Sequence, residues 1–556
     1  AQTLAAVGEI TERAWQLPFS TRVDSISNFQ YSHAEEDDLI VDDLLDLERE
    51  YSAEELAGLQ RIAQSEPLLA KRLISEDAKV TAITVRHTLP RERSDEATEV
   101  ALAVREHAAD IEEKYPGHSV YLTGGVMLSN AFFEASVQDL STLVPVMYLV
   151  IMLTALLFLR SFWGRLITMV IIFLSSASAM GIAGWLGIPI TPPSSSAPTV
   201  IMTLAVADSI HLLVTLFQSM HRGVDKNAAM AESVRINASP VFLTSLTTAI
   251  GMLALNLSDV RPFNDLGNIS TIGVTAAFVY TMLLLPCLVA ISPIKASPKP
   301  AKDRSAAIAR LGELVVERRK LLLWLGVGAV VFLSIMVSRN ELNDEFVEYF
   351  AESFAFRTDT DFTSENLTGI YTMEFSLSSG EEGGVSDPEF LAHVDAFAGW
   401  LDEQPDVHHV FTLTDTFKRL NKNMHGDDPD WYRLPKERDL AAQYLLLYEM
   451  SLPYGLDLND TINVDKSSTR LVVTCNNVNA VRMRELQTES ETWLRENTPE
   501  SMWTVPASTN LMFSHISERN IKSSLLGSFI ALGLIAIILA IAFRSVKFGA
   551  ISILPN

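Results

Sequence analysis

Asp208 stands at the middle of an uninterrupted apolar run, APTVIMTLAVADSIHLLVTLF. Pro198 to Phe217 is 20 residues, and at ~1.5 Å per residue such a helix crosses the ~30 Å hydrocarbon core of a bilayer. A carboxylate at its centre costs at least ~2.5–3.5 kcal/mol, and intramembrane acids are therefore functional by default. The chemistry this points to is proton or ion coupling; the plainer alternative is a polar residue satisfied within a helix bundle. His211, three residues on, and Thr215, seven on, extend one polar stripe on the same helix. Enzyme chemistry has no comparable footing, since no HExxH, GxSxG or phosphate-cradling glycine loop occurs. The sequence calls for no metal and no cofactor. His408-His409 are adjacent in a strand-like segment and so point to opposite faces, which argues against a metal pair.

An acid in such a helix must be held by other spans. The chain has 556 residues, 48% of them hydrophobic, with a mean hydropathy of +0.19. That average hides two populations: long uncharged stretches and two acidic, ordinarily soluble regions. The net charge of −25 lies mainly in those regions and argues against nucleic acid or anionic lipid headgroups as partners. Segments at 141–159, 166–186, 198–217, 239–257, 269–291, 320–338 and 523–543 are long enough to span, and an eighth begins near 549. Pro145 and Pro286 fall inside spans, where bundle neighbours must satisfy the freed carbonyls. Cys287 and Cys475 give no disulfide framework.

Basic residues set the orientation. Arg160 and Arg165, then His221, Arg222, Lys226 and Arg235, then the cluster from Lys295 through Lys299, Lys302, Arg304, Arg310, Arg318, Arg319 and Lys320, then Arg544 and Lys547, all fall on one side under strict alternation. That side is expected to be cytoplasmic, which leaves the acidic regions outside. The organisation expected is a first periplasmic domain over 1–140, spans over 141–291, a cytoplasmic link over 292–319, a span at 320–338, a second periplasmic domain over 339–522, and further spans over 523–556. In the link, Ile308, Leu311, Leu314 and Val315 share a face, as in a short amphipathic helix at the inner membrane surface or a plain connector.

Both outer regions read as strands alternating with helices. The first has a strand at 78–87, a helical stripe from Ala97 to Ile111, and a strand at 119–123. The second has a strand at 369–377, a helix carrying Phe390, Val394, Phe397 and Leu401, strands at 407–411 and 469–475, and a helix at 481–496. This predicts two α+β domains of βαβ, ferredoxin-like type.

An internal repeat is also legible. Leu159-Arg160-Ser161 and Phe543-Arg544-Ser545 close their spans 384 residues apart, and Val126-Met127-Leu128-Ser129 leads into the first span much as Asn510-Leu511-Met512-Phe513-Ser514 leads into the other. The offset places the partner of the 320–338 span upstream of residue 1 and the partner of Asp208 at about position 592. The chain is thus expected to be the middle of a protein of roughly 750–850 residues built from two parallel repeats, with the first outer domain lacking its start.

The run Ala205-Val206-Ala207-Asp208-Ser209-Ile210-His211, followed by Pro240, Ser245-Leu246-Thr247-Thr248-Ala249-Ile250-Gly251, Leu255, Pro262, Gly267 and Gly273, resembles the RND superfamily, in its hydrophobe/amphiphile efflux branch that groups with MMPL-type and Patched-like proteins. Residues 346–362 and 22–29 resemble segments of that branch's outer domains. The resemblance implies a polytopic α-helical membrane protein with two extracytoplasmic porter domains and a pseudo-two-fold repeat, driven by protons. It also implies hydrophobic or amphiphilic cargo, such as sterol- or hopanoid-like lipids or drugs, handled at a bacterial inner membrane among membrane lipids, with periplasmic binding or adaptor proteins as partners. The resemblance implies that Asp208 carries the proton relay; beside it stand Ser209 and, one turn below, His211, which either relays or counters the charge or makes a simple helix–helix hydrogen bond, while Thr247 and Thr248 on the next helix are either its hydrogen-bond partners or generic bundle packing, with Gly251 permitting close approach. Ala207 and Ser209 flank the acid where many relatives carry a second acid or an aromatic, which leaves a single carboxylate in this half. A lipid- or sterol-binding receptor that does not pump, and a protein-export accessory, share the plan. No coiled-coil heptad is present to set an oligomeric state.

Overall fold

A computed structural model describes residues 2–35, 38–47, 49–93, 95–158, 161–295, 304–337, 339, 345–476 and 478–553. Seven helices are long and apolar enough to cross a membrane: Gly125–Thr154, Phe162–Trp185, Ser194–His221, Lys226–Leu257, Arg261–Ile291, Arg319–Val337 and Thr509–Ala542. Each overlaps one of the seven expected spans, with ends that differ by a few residues or more, and a short helix, Val546–Ser552, opens near the eighth. The first and last of the seven start well before their apolar stretches, because the polar residues ahead of them continue the same helix. Of the residues used for orientation and for the repeat, Leu159, Arg160, Lys299 and Lys302 lie outside the described residues. In the link the helix runs Arg304–Glu317 with Leu311, Leu314 and Val315 exposed, while the Ile308 side chain is outside the described residues.

The chain divides into two compact units, one of Ala1–Phe132 with Asn343–His515 and the other of Phe133–Leu342 with Ile516–Asn556. The second unit is all helical among its described residues. Its centre is formed by the helices Phe162–Trp185, Ala197–His221, Lys226–Leu253 and Arg261–Val279, which bury Ile171, Ile172, Met202, Ala205, Leu212 and Leu213 together. Helices apolar on every face bury themselves this way, and small residues at the crossings let their backbones approach. A Cβ on Gly267 would meet the Met252 carbonyl oxygen, and one on Gly273 would overlap the Ile201 side chain and lie 3.1 Å from Ala179 Cβ. Ser161 and Asp225 start two of these helices by accepting from the Gly164 and Asn227 N–H groups. Pro286 cannot donate to a carbonyl one turn back, and the helix answers with a π turn over Tyr280–Leu284 just before it. Ser258 Oγ donates to Asn520 Oδ1 at 2.9 Å, tying the Thr509–Ala542 helix to the loop after Leu257.

The first unit holds the strands. β1 (Ser20–Asp24) pairs antiparallel with β4 (Thr84–His87), and β2 (Gln30–Glu35) pairs antiparallel with β3 (Asp38–Asp43). β5 (Tyr371–Ser378), β6 (Val407–Phe411) and β7 (Ser468–Cys475) make an antiparallel sheet in the order β5-β7-β6. β5 alternates buried and partly buried residues, with Tyr371, Met373, Phe375 and Leu377 inward against Phe390, Leu391, Val394 and Phe397 of the Pro388–Asp402 helix. The second-region strands and helices therefore fall within a few residues of expectation. The first region departs from it. The expected strand at 78–87 shrinks to Thr84–His87, because Ala78 takes a left-handed φ of 54° in a turn closed by its N–H on the Ser75 carbonyl. Residues 119–123 form no strand: the Val120 N–H goes to Glu112 Oε1 at 2.8 Å and the Leu122 N–H to Asp359 Oδ2 at 2.9 Å, so side-chain carboxylates take the donors a ladder would use. The described strands of the first region form two separate ladders rather than one ferredoxin-like sheet.

Candidate functional site

Asp208 is 3% exposed on the buried face of the Ala197–His221 helix, beside Ala205, Ser209 and Leu212. Its carboxylate accepts one hydrogen bond among the described residues, from Ser245 Oγ on the Lys226–Leu253 helix, at 3.3 Å to Oδ2. Ser209 is fully buried and its hydroxyl has no partner among the described residues. The same holds for Ser176, Ser270 and Thr281 on the helices packed around this one. A hydroxyl in a helix ordinarily returns its hydrogen to the carbonyl one turn back, as Thr168 and Ser175 do here at 2.9 Å and 2.7 Å, so these four are free to accept and donate elsewhere.

Nearer the C-terminal end of the Asp208 helix the contact with its neighbour is closed by polar bonds. Ser233 Oγ donates to the Leu212 carbonyl at 2.6 Å, and Asn237 Nδ2 donates to Thr215 Oγ1 at 2.9 Å. Ser178 and Tyr280 share a hydrogen bond of 2.8 Å between the Phe162–Trp185 helix and the π turn.

Several expected members sit elsewhere. His211 is on an exposed face, so the stripe that begins at Asp208 does not carry it into the same buried space. Thr215 is joined to Asn237, not to the acid. Thr247 donates to the Thr244 carbonyl of its own helix at 3.0 Å and Thr248 is half-buried, so neither takes the place of Ser245. A Cβ on Gly251 would meet nothing within 4 Å, and the close approaches between helices are at Gly267 and Gly273 instead. The partner of the acid, Ser245, begins the Ser245-to-Gly251 run: Thr247, two residues on, falls on the far side of the helix, and Thr248, three residues on, shares the side of Ser245 one turn further along. A second carboxylate, Asp265 on the Arg261–Val279 helix, is also buried, with Oδ2 unpartnered among the described residues. Its position at a span's end, next to Arg261 and Pro262, hid it among loop residues.

Outside the membrane helices, His408 Nε2 bonds with the Leu367 carbonyl at 2.9 Å, while the partly buried His409 is held down to about 4, first by desolvation and then by the charge of Arg72. The two rings have separate surroundings and do not form a pair.

Seven apolar spans, one of them carrying a buried carboxylate at its middle, define a multi-pass α-helical membrane protein of transporter-like build. Residues 20–324, more than half of the chain, match the MMPL family, and the chain belongs to that family. MJ1562 of Methanocaldococcus jannaschii, described as a membrane protein, is 23% identical over 176 residues, which cover 32% of this chain and 45% of that protein. Among solved structures the chain is similar to the hedgehog release protein Disp from the water bear Hypsibius dujardini, with a TM-score of 0.48 and 13% identity over 88% of this chain and 63% of that one. It is also similar to SecDF, a translocon-associated membrane protein from Thermus thermophilus, with a TM-score of 0.39 and 15% identity over 86% of this chain and 52% of that one. The matches span less than two thirds of the length of each of these relatives.

Proposed function

We propose that the chain is part of a proton-driven MMPL transporter of the RND type, which moves hydrophobic or amphiphilic molecules and uses Asp208 as a proton-carrying group. The observation that carries this reading is the burial of Asp208 at the middle of a span with, among the described residues, a single hydroxyl donor, Ser245. A structural acid would be expected to gather two or three donors or a cation, because an underbonded carboxylate away from water is costly. A carboxyl that must exchange a proton is better served by one weak donor. The unpartnered hydroxyls of Ser209, Ser176, Ser270 and Thr281 supply acceptors for water on the way to it. Ser209 thus stays in the proposed relay and Ser245 joins it, while His211, Thr247 and Thr248 are secondary positions.

The mechanism follows as a cycle. Asp208 takes a proton from the outer side, where the loops 187–197 and 258–266 are nearly free of Lys and Arg, and releases it toward the basic cytoplasmic side. Neutral and anionic Asp208 favour different packings of the Ala197–His221 and Lys226–Leu253 helices, and that difference biases the outer domains between two states. The setting proposed is a bacterial inner membrane with both acidic regions in the periplasm. The test is the full-length protein in proteoliposomes loaded with a fluorescent amphiphile. An imposed pH gradient should drive its movement in the wild type, and Asp208→Asn should abolish the gradient-driven component. Undiminished gradient-driven movement by Asp208→Asn would refute the coupling role.

A further inference from the structure

Two carboxylates of the helical unit are buried among its described residues, and the coupling reading uses one of them, Asp208. The other, Asp265, is 7% exposed, and its Oδ2 has no partner among the described residues. It sits more than a turn inside the Arg261–Val279 helix, past the free N–H groups that a capping acid serves. Arg261, one turn earlier, is exposed. The neighbouring segments 180–202 and 243–257 contain no charged residue. The other charges at this end are Asp259 in the preceding loop and Glu518, Arg519 and Lys522 on the Thr509–Ala542 helix, where Glu518 and Lys522 pair with each other at 2.6 Å. An acid buried with no donor on that oxygen is costly in the same way as Asp208, and packing does not account for it. Six residues separate Asp265 from Thr271, whose Oγ1 lies 3.4 Å from the Ala249 carbonyl, and four separate Ala249 from Ser245, the donor to Asp208. Ten residues of helix rise put the two acids about 15 Å apart along the bundle, too far for direct transfer. Between them lies an apolar layer in which Ile269 clusters with Ile201 and Ala179, and a Cβ on Gly273 would meet both Ile201 and Ala179. Unpartnered hydroxyls border the layer: Ser270 next to Ile269, and Ser176 one turn inward of Ala179.

We propose that Asp265 is the group that receives the proton from the outer side, and that the layer of Ile201, Ile269 and Gly273 holds it apart from Asp208 until the helices shift. The inference rests on the coupling reading of Asp208 and supplies its entrance. A proton from outside water settles on the free Oδ2 of Asp265. When the layer opens, it crosses by water and the Ser270 and Ser176 hydroxyls to Asp208, and Asp265 is left an anion ready for the next. One proton enters for each that Asp208 passes on. Asp265 and Ser270 are five residues apart and lie on different sides of their helix, so the crossing runs through water between helices and not along one stripe of side chains. With the layer shut, as in this structure, protons do not slip past an idle transporter.

The experiment compares Asp208→Asn, Asp265→Asn and Asp265→Glu with wild type, as full-length protein in proteoliposomes loaded with a fluorescent amphiphile, while the outer pH is varied. Asp265→Asn should slow gradient-driven movement at least about tenfold and flatten its dependence on outer pH, as loss of a positioned proton-transfer group does. Asp265→Glu should restore both, which a packing role would not allow because Glu is the larger side chain. Ile201→Ala, which thins the layer, should let protons leak into liposomes holding a pH-sensitive dye and no cargo, and adding Asp265→Asn should suppress that leak. If Asp208→Asn abolishes movement while Asp265→Asn alters neither rate nor pH dependence, this proposal falls and the coupling reading stands. Undiminished movement in both variants overturns the coupling reading and this proposal with it. A leak in Ile201→Ala that Asp265→Asn leaves unchanged also overturns the proposal.

Discussion

Glu66→Gln should destabilise the first unit more than any single change at its surface. Arg419 is 1% exposed, and its ion pair among the described residues is with Glu66, at 3.4 Å from Nη1. Tyr448 Oη accepts from Nη2 at 3.1 Å, and the Phe29 and Tyr448 rings lie 5.3 Å and 5.6 Å from the guanidinium carbon. Nε has no hydrogen-bond partner among the described residues, so the group has little in reserve once the carboxylate is gone. Removing one partner of a buried pair leaves an uncompensated charge and costs about 3–5 kcal/mol. Replacing both with apolar residues of similar volume is often neutral or stabilising. Glu66→Leu combined with Arg419→Met should accordingly recover most of what Glu66→Gln loses. Urea unfolding of the full chain in detergent, followed by the near-ultraviolet signal of the first unit's tryptophans, reads both. A loss below about 1 kcal/mol in Glu66→Gln, or a double variant weaker than the single, would refute the reasoning, because either result means the pair is already solvated.

Other outcomes follow from single features. Burial pushes Asp415 up to about 6 against an ordinary 3.8, with Lys418 opposing and Asp395 adding to it. A raised carboxyl stabilises the fold at low pH and loses that contribution as pH rises through about 6, so Asp415→Asn should gain about 1–3 kcal/mol at pH 7 and nothing at pH 4; a pH-independent gain would argue against burial as the cause. Gly267→Ala forces a methyl onto the Met252 carbonyl and should cost about 1–3 kcal/mol, whereas Gly251→Ala meets open space and should be neutral or slightly stabilising in thermal unfolding. Ser245→Ala removes the hydrogen bond on Asp208 and should shift the pH dependence of transport while His211→Ala leaves it in place.

The spans were legible because a lipid-exposed helix has a requirement of length and apolarity that composition alone reveals, and Asp208 stood out against it. The second acidic region was legible for a similar reason: Tyr371–Ser378 and Ser468–Cys475 alternate more and less buried residues, and the helix of Phe390, Val394, Phe397 and Leu401 keeps its stripe. Residues 119–123 misled because Ser-Val-Tyr-Leu-Thr has strand composition while its backbone donors are claimed by Glu112 and Asp359, the latter more than 200 residues away. β2 and β3 went unseen because QYSHAE and DLIVDD carry too many polar and acidic residues to stand out as strands. Ser245 was missed because a partner across two helices depends on their rotation about their axes, which periodicity within either helix does not give.

The central claim is that the Asp208 carboxyl takes and releases a proton inside the membrane. Infrared difference spectra of the protein in lipid, recorded as pH is stepped from 8 to 5 in roughly half-unit intervals across the range of perturbed carboxyls, test it most directly. The account predicts a protonated-carboxyl C=O band that grows as pH falls, disappears in Asp208→Asn and moves in Ser245→Ala. A band that persists unchanged in Asp208→Asn, or no pH-dependent carboxyl band in wild-type protein, would contradict it.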